Sequence, residues 1–334
     1  MSDPFQPIIE TLSRAKRVLV TTHVRPDGDA LGSTAALILG LRAKGIDAEA
    51  LLLSHLPKKY SFIFTENKIV HHDVEQEWPE PFPPKGVDCL AVVDTGTWSQ
   101  LPGLQERIET WAAPKVVIDH HLTQEKWGDH RLVLTQAAAA GEIVGELLQR
   151  WGVTITAPIA TCLFLATVSD TGWFQFANTR PYTLRLAADW MEAGVDTDRL
   201  YQLLYQNERA ERILLQTRGL DSMELLDNKR ISVMTVTKAD FQTTGASVND
   251  TENLINLPMQ IASVEVSALL SEPIDSGPIR VSLRSKGKLN MATFAAQFGG
   301  GGHARAAGLK FSTDLATARK QLVDALLAAA STLK

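Results

Sequence analysis

Cysteine, excess positive charge and long apolar runs are all scarce in this chain. Its two cysteines, Cys89 and Cys162, lie in the apolar stretches DCLAVV and ATCLFLATV. They read as small buried hydrophobes, and nothing supports a disulfide-stapled secreted scaffold. The formal net charge is −5, whereas wrapping long nucleic acid takes many phosphate-neutralising cations. A stable complex with long nucleic acid is therefore not expected, but a short nucleotide held by metals and a few basic groups is compatible with that charge. No uninterrupted apolar run reaches the ~18 residues of a membrane span. The opening MSDPFQPIIETLSRAKR has no apolar signal core. No membrane partner and a cytoplasmic location are the expectations. Internal repeats and low-complexity tracts are absent from the sequence.

What is present is a globular pattern. At ~100–200 residues per domain, 334 residues suggest two domains. Segment 17–22 (RVLVTT) is apolar and β-branched and reads as a buried parallel strand. It runs through HVRPDGDALG into a helix ending near 44, with Gly45 as its cap. Further strands are expected at 48–53, 87–93 and 115–118, the last two ending at Asp94 and Asp119. Helices are expected at 137–150 and 155–169, the second also compatible with a strand, and at 178–193 interrupted by Pro181. This alternation predicts an α/β class: an N-terminal open, mostly parallel sheet flanked by helices. After a polar helical linker at 196–216, cleaner alternation at 230–236, 264–270 and 279–283 predicts a smaller C-terminal α/β domain with a mixed sheet. The expected division is 1–195, linker 196–216, and 217–334. A short helix at 291–297 leads into FGGGGHARAAG, and a terminal helix covers 314–327.

Carboxylates and imidazoles gather at four expected strand ends: His23, Asp27 and Asp29; Asp94; Asp119, His120 and His121; and Asp170. In open α/β sheets, ligands bind beyond these carboxyl ends. Crowded carboxylates raise one another's pKa, and divalent cations relieve the repulsion. Mixed His and Asp donors suit Mn²⁺, Zn²⁺ or Co²⁺ better than an all-oxygen Mg²⁺ site. Two such ions could activate a water and stabilise a phosphoryl oxygen. Each residue has a plainer reading. Asp94 alone is a turn or helix cap, His23 alone is structural, and Asp27 with Asp29 shapes the turn after Pro26. His120 and His121 are harder to dismiss, because two adjacent rings are seldom both core. Trp173, Phe174 and Phe176 read as packing around the Asp170 loop, with base stacking as the alternative.

These motifs resemble the DHH phosphoesterase family. HVRPDGDALGS (23–33), VVDTG (92–96), VVIDHH (116–121) and SDTGWFQFANT (169–179) match its motifs in order. VSLRSKG (281–287) and FGGGGHARAAG (298–308) resemble the associated DHHA1 domain. The arrangement is most similar to the compact bacterial branch of oligoribonucleases and 3′-phosphoadenosine-5′-phosphate (pAp) phosphatases. The resemblance implies two divalent metal ions, Mn²⁺ first and Mg²⁺ or Co²⁺ next. One would be held by His23, Asp27 and Asp94, the other by Asp29, Asp94, His120 and Asp170, with Asp94 bridging. It implies catalytic roles for Asp94, for His121 facing the scissile phosphate, and for Asp119 orienting a histidine ligand. In the second domain, Arg284 and Ser285 would bind a substrate phosphate and His303 would face the substrate. Gly300, Gly301, Gly302 and Arg305 complete the implied substrate site. Gly299 to Gly302 could expose successive N–H groups as an anion nest, the plainer reading being a tight turn. Gly28 is expected to permit a tight turn.

The implied activity is hydrolysis of short oligoribonucleotides, releasing mononucleotides, and of pAp. Phosphodiesterase action on cyclic di-AMP or linear pApA is one alternative, and a non-catalytic nucleotide-binding regulator is another. An inorganic pyrophosphatase shares the metal motifs but has a cation-rich C-terminal region. The resemblance also implies a homodimer. Gly141, Gln175 and Asn290 depart from residues common in relatives, without touching an implied metal ligand.

Overall fold

A computed structural model describes residues 3–331, which form two compact units divided between Gln206 and Asn207. The division falls inside segment 196–216. That segment is two helices rather than one linker: Thr197–Tyr205 in the first unit and Ala210–Asp221 in the second.

In the first unit, six parallel strands form one sheet: β1 (Arg17–Thr21), β2 (Asp47–Leu52), β3 (His71–Asp73), β4 (Cys89–Val93), β5 (Lys115–Asp119) and β6 (His130–Val133). Their order is β3-β2-β1-β4-β5-β6. Strands 1 to 3 wind outward one way and strands 4 to 6 the other. The neighbours β1 and β4 therefore form the switch point, where a crevice opens beyond the strand ends. The four central strands carry the apolar runs legible in sequence. The edge strands β3 (HHD) and β6 (HRLV) are short and carry His or Arg residues, as sheet edges tend to do.

The helices of this unit are α1 (Gln6–Arg14), α2 (Gly28–Ala43), α3 (Ser61–Glu66), α4 (Leu104–Ile108), α5 (Ala140–Arg150), α6 (Ala157–Asp170), α7 (Pro181–Glu192) and α8 (Thr197–Tyr205). Segment 155–169 is thus helix, and Asp170 ends a helix rather than a strand. Its sequence allowed both because α6 is apolar all round. Buried residues cover its whole circumference, Ile159 to Val168, and a helix enclosed on every side loses the 3.6-residue polar stripe. Gly32 lets α2 approach α6 closely, since a Cβ there would meet the Cys162 carbonyl oxygen at 2.5 Å. Pro181 opens α7 at its first position instead of interrupting it, the one helical place that tolerates a missing N–H. Cys89 and Cys162 are both buried and unpaired.

The second unit begins with α9 (Ala210–Asp221) and carries β7 (Glu224–Leu226), β8 (Ile231–Val236), α10 (Lys238–Thr244), β9 (Val266–Ser271), β10 (Ile279–Ser285), α11 (Met291–Ala296), β11 (Gly301–His303), β12 (Ala306–Phe311) and α12 (Leu315–Ala330). The sheet order is β11-β12-β10-β9-β8-β7, with β8 and β9 parallel and the other pairs antiparallel. Val233, Ala268, Val281 and Leu283 pack one face with Phe294 and Leu322. On the other face, Met234 and Leu269 lie under Leu215 and Phe241. Among the described residues, no helix is long and apolar enough to cross a membrane.

Candidate active site

The crevice beyond β1 and β4 is built from loops and helix ends. Asp27 caps α2, its Oδ1 accepting the amides of Asp29 (3.0 Å) and Ala30 (3.1 Å). Gly28 has an ordinary helical backbone, so it is not needed for a positive φ. It is needed for space, because a Cβ would lie 1.9 Å from Ser169 Oγ and 2.7 Å from Ser169 Cβ. Asp94 follows β4 with φ +61, in the left-handed region that costs a non-glycine residue about 1 kcal/mol or more. That kink turns a carboxylate leaving the sheet back into the crevice.

Two groups of donors meet there. In one, His23 Nε2 lies 3.5 Å from Asp94 Oδ2 and 3.9 Å from Asp27 Oδ1. In the other, His120 Nε2 lies 3.3 Å from Asp170 Oδ2 and 3.6 Å from Asp29 Oδ2. The groups join through Asp94, whose Oδ1 is 3.3 Å from His120 Nε2. Each of the sets His23–Asp27–Asp94 and Asp29–His120–Asp170 offers three ligand atoms within 4.8 Å of one another.

The rings are aimed from behind. His23 Nδ1 pairs with the Val24 carbonyl at 2.9 Å, and His120 Nδ1 with the Ala137 carbonyl at 3.2 Å. A carbonyl can only accept, so each Nδ1 carries a proton, and it is Nε2 that offers an inward lone pair once its own proton is displaced. Asp29 is wholly buried and accepts from Ser33 Oγ (2.9 Å) and the amides of Ala140 (2.6 Å) and Gly141 (3.0 Å) at the start of α5. Gly141 also brings α5 close to α6, since a Cβ there would sit 2.5 Å from Ala166 Cβ. Asn178 Nδ2 donates to the carbonyls of Ala138 and Asp170. Glu142 accepts from the Ala138 amide, Arg180 and Thr183. The main chain of 137–141 thus serves both Asp29 and His120. Side-chain chemistry could not flag it, because it is almost all alanine.

Burial and charge work against each other here. Burial pushes His23 down, but Asp94, the Val24 carbonyl and Asp27 outweigh it and raise it to about 9. Burial likewise lowers His120, while Asp94, Asp29 and Asp170 raise it to about 10. Burial raises Asp29, and the charges of Asp94 and Asp170 raise it further. Burial and Asp94 lift Asp170 to about 6. Burial also acts to raise Asp94, yet His120 and His23 hold it below the usual carboxylate range. Asp94 Oδ1 and His120 Nε2 are buried without a hydrogen-bond partner among the described residues. Orphaned inward donors of this kind, among four carboxylates, fit divalent cations.

His121 borders the cluster, its Nδ1 3.7 Å from Asp94 Oδ1 in a further three-donor group with Asp94 and His120, and Asp119 lies behind it. Asp119 is fully buried, and protein donors occupy both its oxygens. Oδ1 takes the amides of His120 (2.8 Å) and His121 (3.2 Å) and His121 Nδ1 (2.8 Å), and Oδ2 takes Gln124. The ring it orients is His121, not His120, which corrects the expectation that Asp119 orients a histidine ligand. His121 remains half-exposed, with Nδ1 committed to Asp119. Gln124 was not singled out by sequence, lying past the motif. Trp173 and Phe174 pack edge-on against Phe164 at 6.1 and 5.9 Å, while Phe176 is exposed.

In the second unit, the register places Ser232, Ser267, Arg284, Ala306 and His303 in one row across the sheet. Arg284 and His303 therefore share a face, with Gly301 and Gly308 paired in a neighbouring row. Ser285 does not join them. Successive strand residues point to opposite faces, and Ser285 is buried, its Oγ accepting the Gly287 amide at 2.9 Å. The expected glycine nest is also revised. The amides of Gly299 and Gly300 close α11 by donating to Ala296 and Ala295, and Gly301 and Gly302 belong to the edge strand β11. Gly300 is required by contact, since a Cβ would meet the Gly308 carbonyl oxygen at 2.3 Å. Arg305 lies in the turn between β11 and β12, beside Gly287. Asn290 caps α11 through the Thr293 amide, a role Asn and Asp fill equally well.

Known proteins resemble this chain over most of its length. The model of the DHH family N-terminal domain matches residues 17–167, and that of the DHHA1 domain matches 229–332. The bifunctional oligoribonuclease and PAP phosphatase NrnA of Thermus thermophilus is 31% identical over 316 residues, covering 92% of this chain and 89% of that protein. The protein of the same name from Bacillus subtilis is 26% identical, covering 90% and 91%. An exopolyphosphatase-related protein from Bacteroides fragilis superposes with TM-score 0.79 at 25% identity, covering 96% of this chain and 95% of that one. The exonuclease RecJ bound to manganese shares the fold at TM-score 0.53 and 16% identity, covering 98% and 94%. The chain belongs to the DHH family, its N-terminal domain followed by a DHHA1 domain.

Proposed function

We propose that this protein is a metal-dependent phosphoesterase that hydrolyses short oligoribonucleotides to mononucleotides and pAp to AMP and phosphate. The observation that carries this is the pair of three-donor groups, His23–Asp27–Asp94 and Asp29–His120–Asp170, joined through Asp94 and His120. We assign the six residues to two divalent metal ions, Mn²⁺ first, with Asp94 shared. Bound there, the ions would supply activation of a water nucleophile and neutralisation of phosphoryl charge. The NrnA relatives, similar over about nine-tenths of the chain, support the substrate class.

The protein's own groups supply the rest. His121 holds its Nδ1 proton against Asp119, which leaves Nε2 to bond a phosphoryl oxygen or protonate the leaving oxygen. Asp119, with both oxygens engaged by protein donors, positions that ring and holds no metal. Arg284, whose planar fork matches phosphate oxygens, and His303 on the same sheet face bind substrate, while Ser285 shapes the following turn. The test is a substrate panel in Mn²⁺: labelled di- to pentanucleotides, a 24-mer, pAp, and linear and cyclic diadenylates. The short oligomers and pAp should turn over fastest. Equal or faster turnover of the 24-mer would refute the short-substrate assignment, and preference for the diadenylates would reassign the substrate.

A further inference from the structure

Beside the acidic cluster, the first unit carries a group of aromatic side chains that the hydrolytic chemistry does not use. Tyr60 lies over Gly28, where a Cβ would stand 3.3 Å from Tyr60 Cε1. Gly28 sits between Asp27 and Asp29, so this ring is at the rim of the cluster. Lys59 Nζ lies 5.4 Å from the Tyr60 ring centre and 4.7 Å from that of Tyr205. Tyr205 and Tyr201, one turn apart on α8, have ring centres 5.0 Å apart at 39°. Trp173 meets Tyr201 edge-on at 5.2 Å. Five neighbouring side chains thus link the Gly28 turn to the loop after Asp170.

Two features distinguish this group from ordinary packing. Tyr201 and Tyr205 are 43% and 45% exposed, so the outer rings present surface that the inner ones do not cover. Trp173 and Phe174 adopt φ +56 and +65, directly after Gly172 at +54. Consecutive left-handed aromatics are strained and persist only where the surroundings impose them. The surroundings thus hold Trp173 edge-on to Tyr201, three residues from Asp170. An aromatic face with an adjacent cation is what a nucleobase and its phosphodiester require. A negatively charged crevice makes such a cation the more necessary for an anionic chain.

We propose that Tyr201 and Tyr205, backed by Trp173 and flanked by Lys59, form a stacking subsite that takes a nucleobase of an oligoribonucleotide and the phosphodiester beside it. This deepens the proposed function and rests on it. Stacking is indifferent to base identity, so the subsite selects for a nucleotide chain rather than for a sequence.

The experiment combines Tyr201→Ala/Tyr205→Ala with Tyr201→Phe/Tyr205→Phe in the full chain. With a trinucleotide in Mn²⁺, the alanine pair should raise KM about 10-fold or more, with kcat within about twofold, while the phenylalanine pair stays near wild type. A trinucleotide carrying 2-aminopurine, bound in Ca²⁺, should lose fluorescence on the wild type and the phenylalanine pair but not on the alanine pair. An unchanged KM, or a fall in kcat accompanied by lost Mn²⁺ affinity, would overturn the subsite. Wild-type protein that quenches the probe but cleaves no RNA would overturn the hydrolytic assignment and keep the subsite. Wild-type protein that cleaves RNA without quenching would do the reverse.

Discussion

Asp119 Oδ1 lies 2.8 Å from His121 Nδ1 and also accepts the amides of His120 and His121. One carboxylate thus fixes a ring and the main chain that carries it. Asp119→Asn removes the charge while keeping the shape. It should lower kcat by about 10²-fold, within the range for a misdirected acid–base group, and leave Mn²⁺ affinity within about threefold. Calorimetric Mn²⁺ titration beside steady-state kinetics checks this. Loss of metal affinity equal to the loss of rate would make Asp119 a ligand instead.

Asp94 joins the two donor groups and sits at φ +61. Asn tolerates that backbone better than Ala, so Asp94→Asn isolates the charge from the fold. Hydrolysis should fall below detection, and Mn²⁺ stoichiometry should drop from two to one or none, with an unchanged circular dichroism spectrum. Full activity would remove Asp94 from the bridging position.

His23 and His120 are raised to about 9 and about 10 by the carboxylates they face. A raised histidine stabilises the folded state fully below its unfolded value near 6.5, and that contribution fades as pH climbs through the folded value. Metal-free protein should therefore lose melting temperature between pH 7 and pH 9. Because Mn²⁺ must displace these protons, its affinity should rise over the same interval, with proton release measurable by calorimetry in buffers of different ionisation enthalpy. A metal-free stability that increases with pH there would contradict the assignment.

Gly28 and Ser169 are in contact across the crevice floor. Gly28→Ala places a Cβ 1.9 Å from Ser169 Oγ and should destabilise by about 1–3 kcal/mol as an overpacked site, weakening Mn²⁺ binding because Asp27, Asp29 and Asp170 are the flanking residues. Gly28→Ala combined with Ser169→Gly should recover most of both losses. A double variant no better than the single one would show that space is not what Gly28 provides.

Arg284 and Ser285 are neighbours in sequence but face opposite sides of β10. Arg284→Ala should raise KM for pAp about 10-fold or more, in line with loss of a charge-assisted phosphate contact. Ser285→Ala should leave KM within about threefold and lower the melting temperature. Equal KM effects would restore the pairing implied by the family resemblance.

The sheet and the donor groups were legible in sequence because their signals are local. β1, β4 and β5 are uninterrupted apolar runs, and the motif residues follow them directly. Asp170 was placed at a strand end because α6, buried on every side, hides its helical period. β3 and β6 escaped notice because three or four residues at a sheet edge are too few to carry a hydrophobic pattern. The pairing of Arg284 with Ser285 and the glycine nest failed for a shared reason. Strand alternation and hairpin closure decide which side chains and amides remain free, and a motif does not show them. The stacking group joins residues 59–60, 173 and 201–205, a juxtaposition that only the fold creates.

Segment 137–141 (AAAAG) aims His120 through a carbonyl and Asp29 through two amides. Its contribution to the site is carried entirely by main-chain atoms. Alanine scanning is blind to it, since four of its residues are alanine already. Proline at 140 or 141 would strip a donor from Asp29 without altering any group that a survey of reactive side chains would count. In this region the informative mutation is one that edits the backbone.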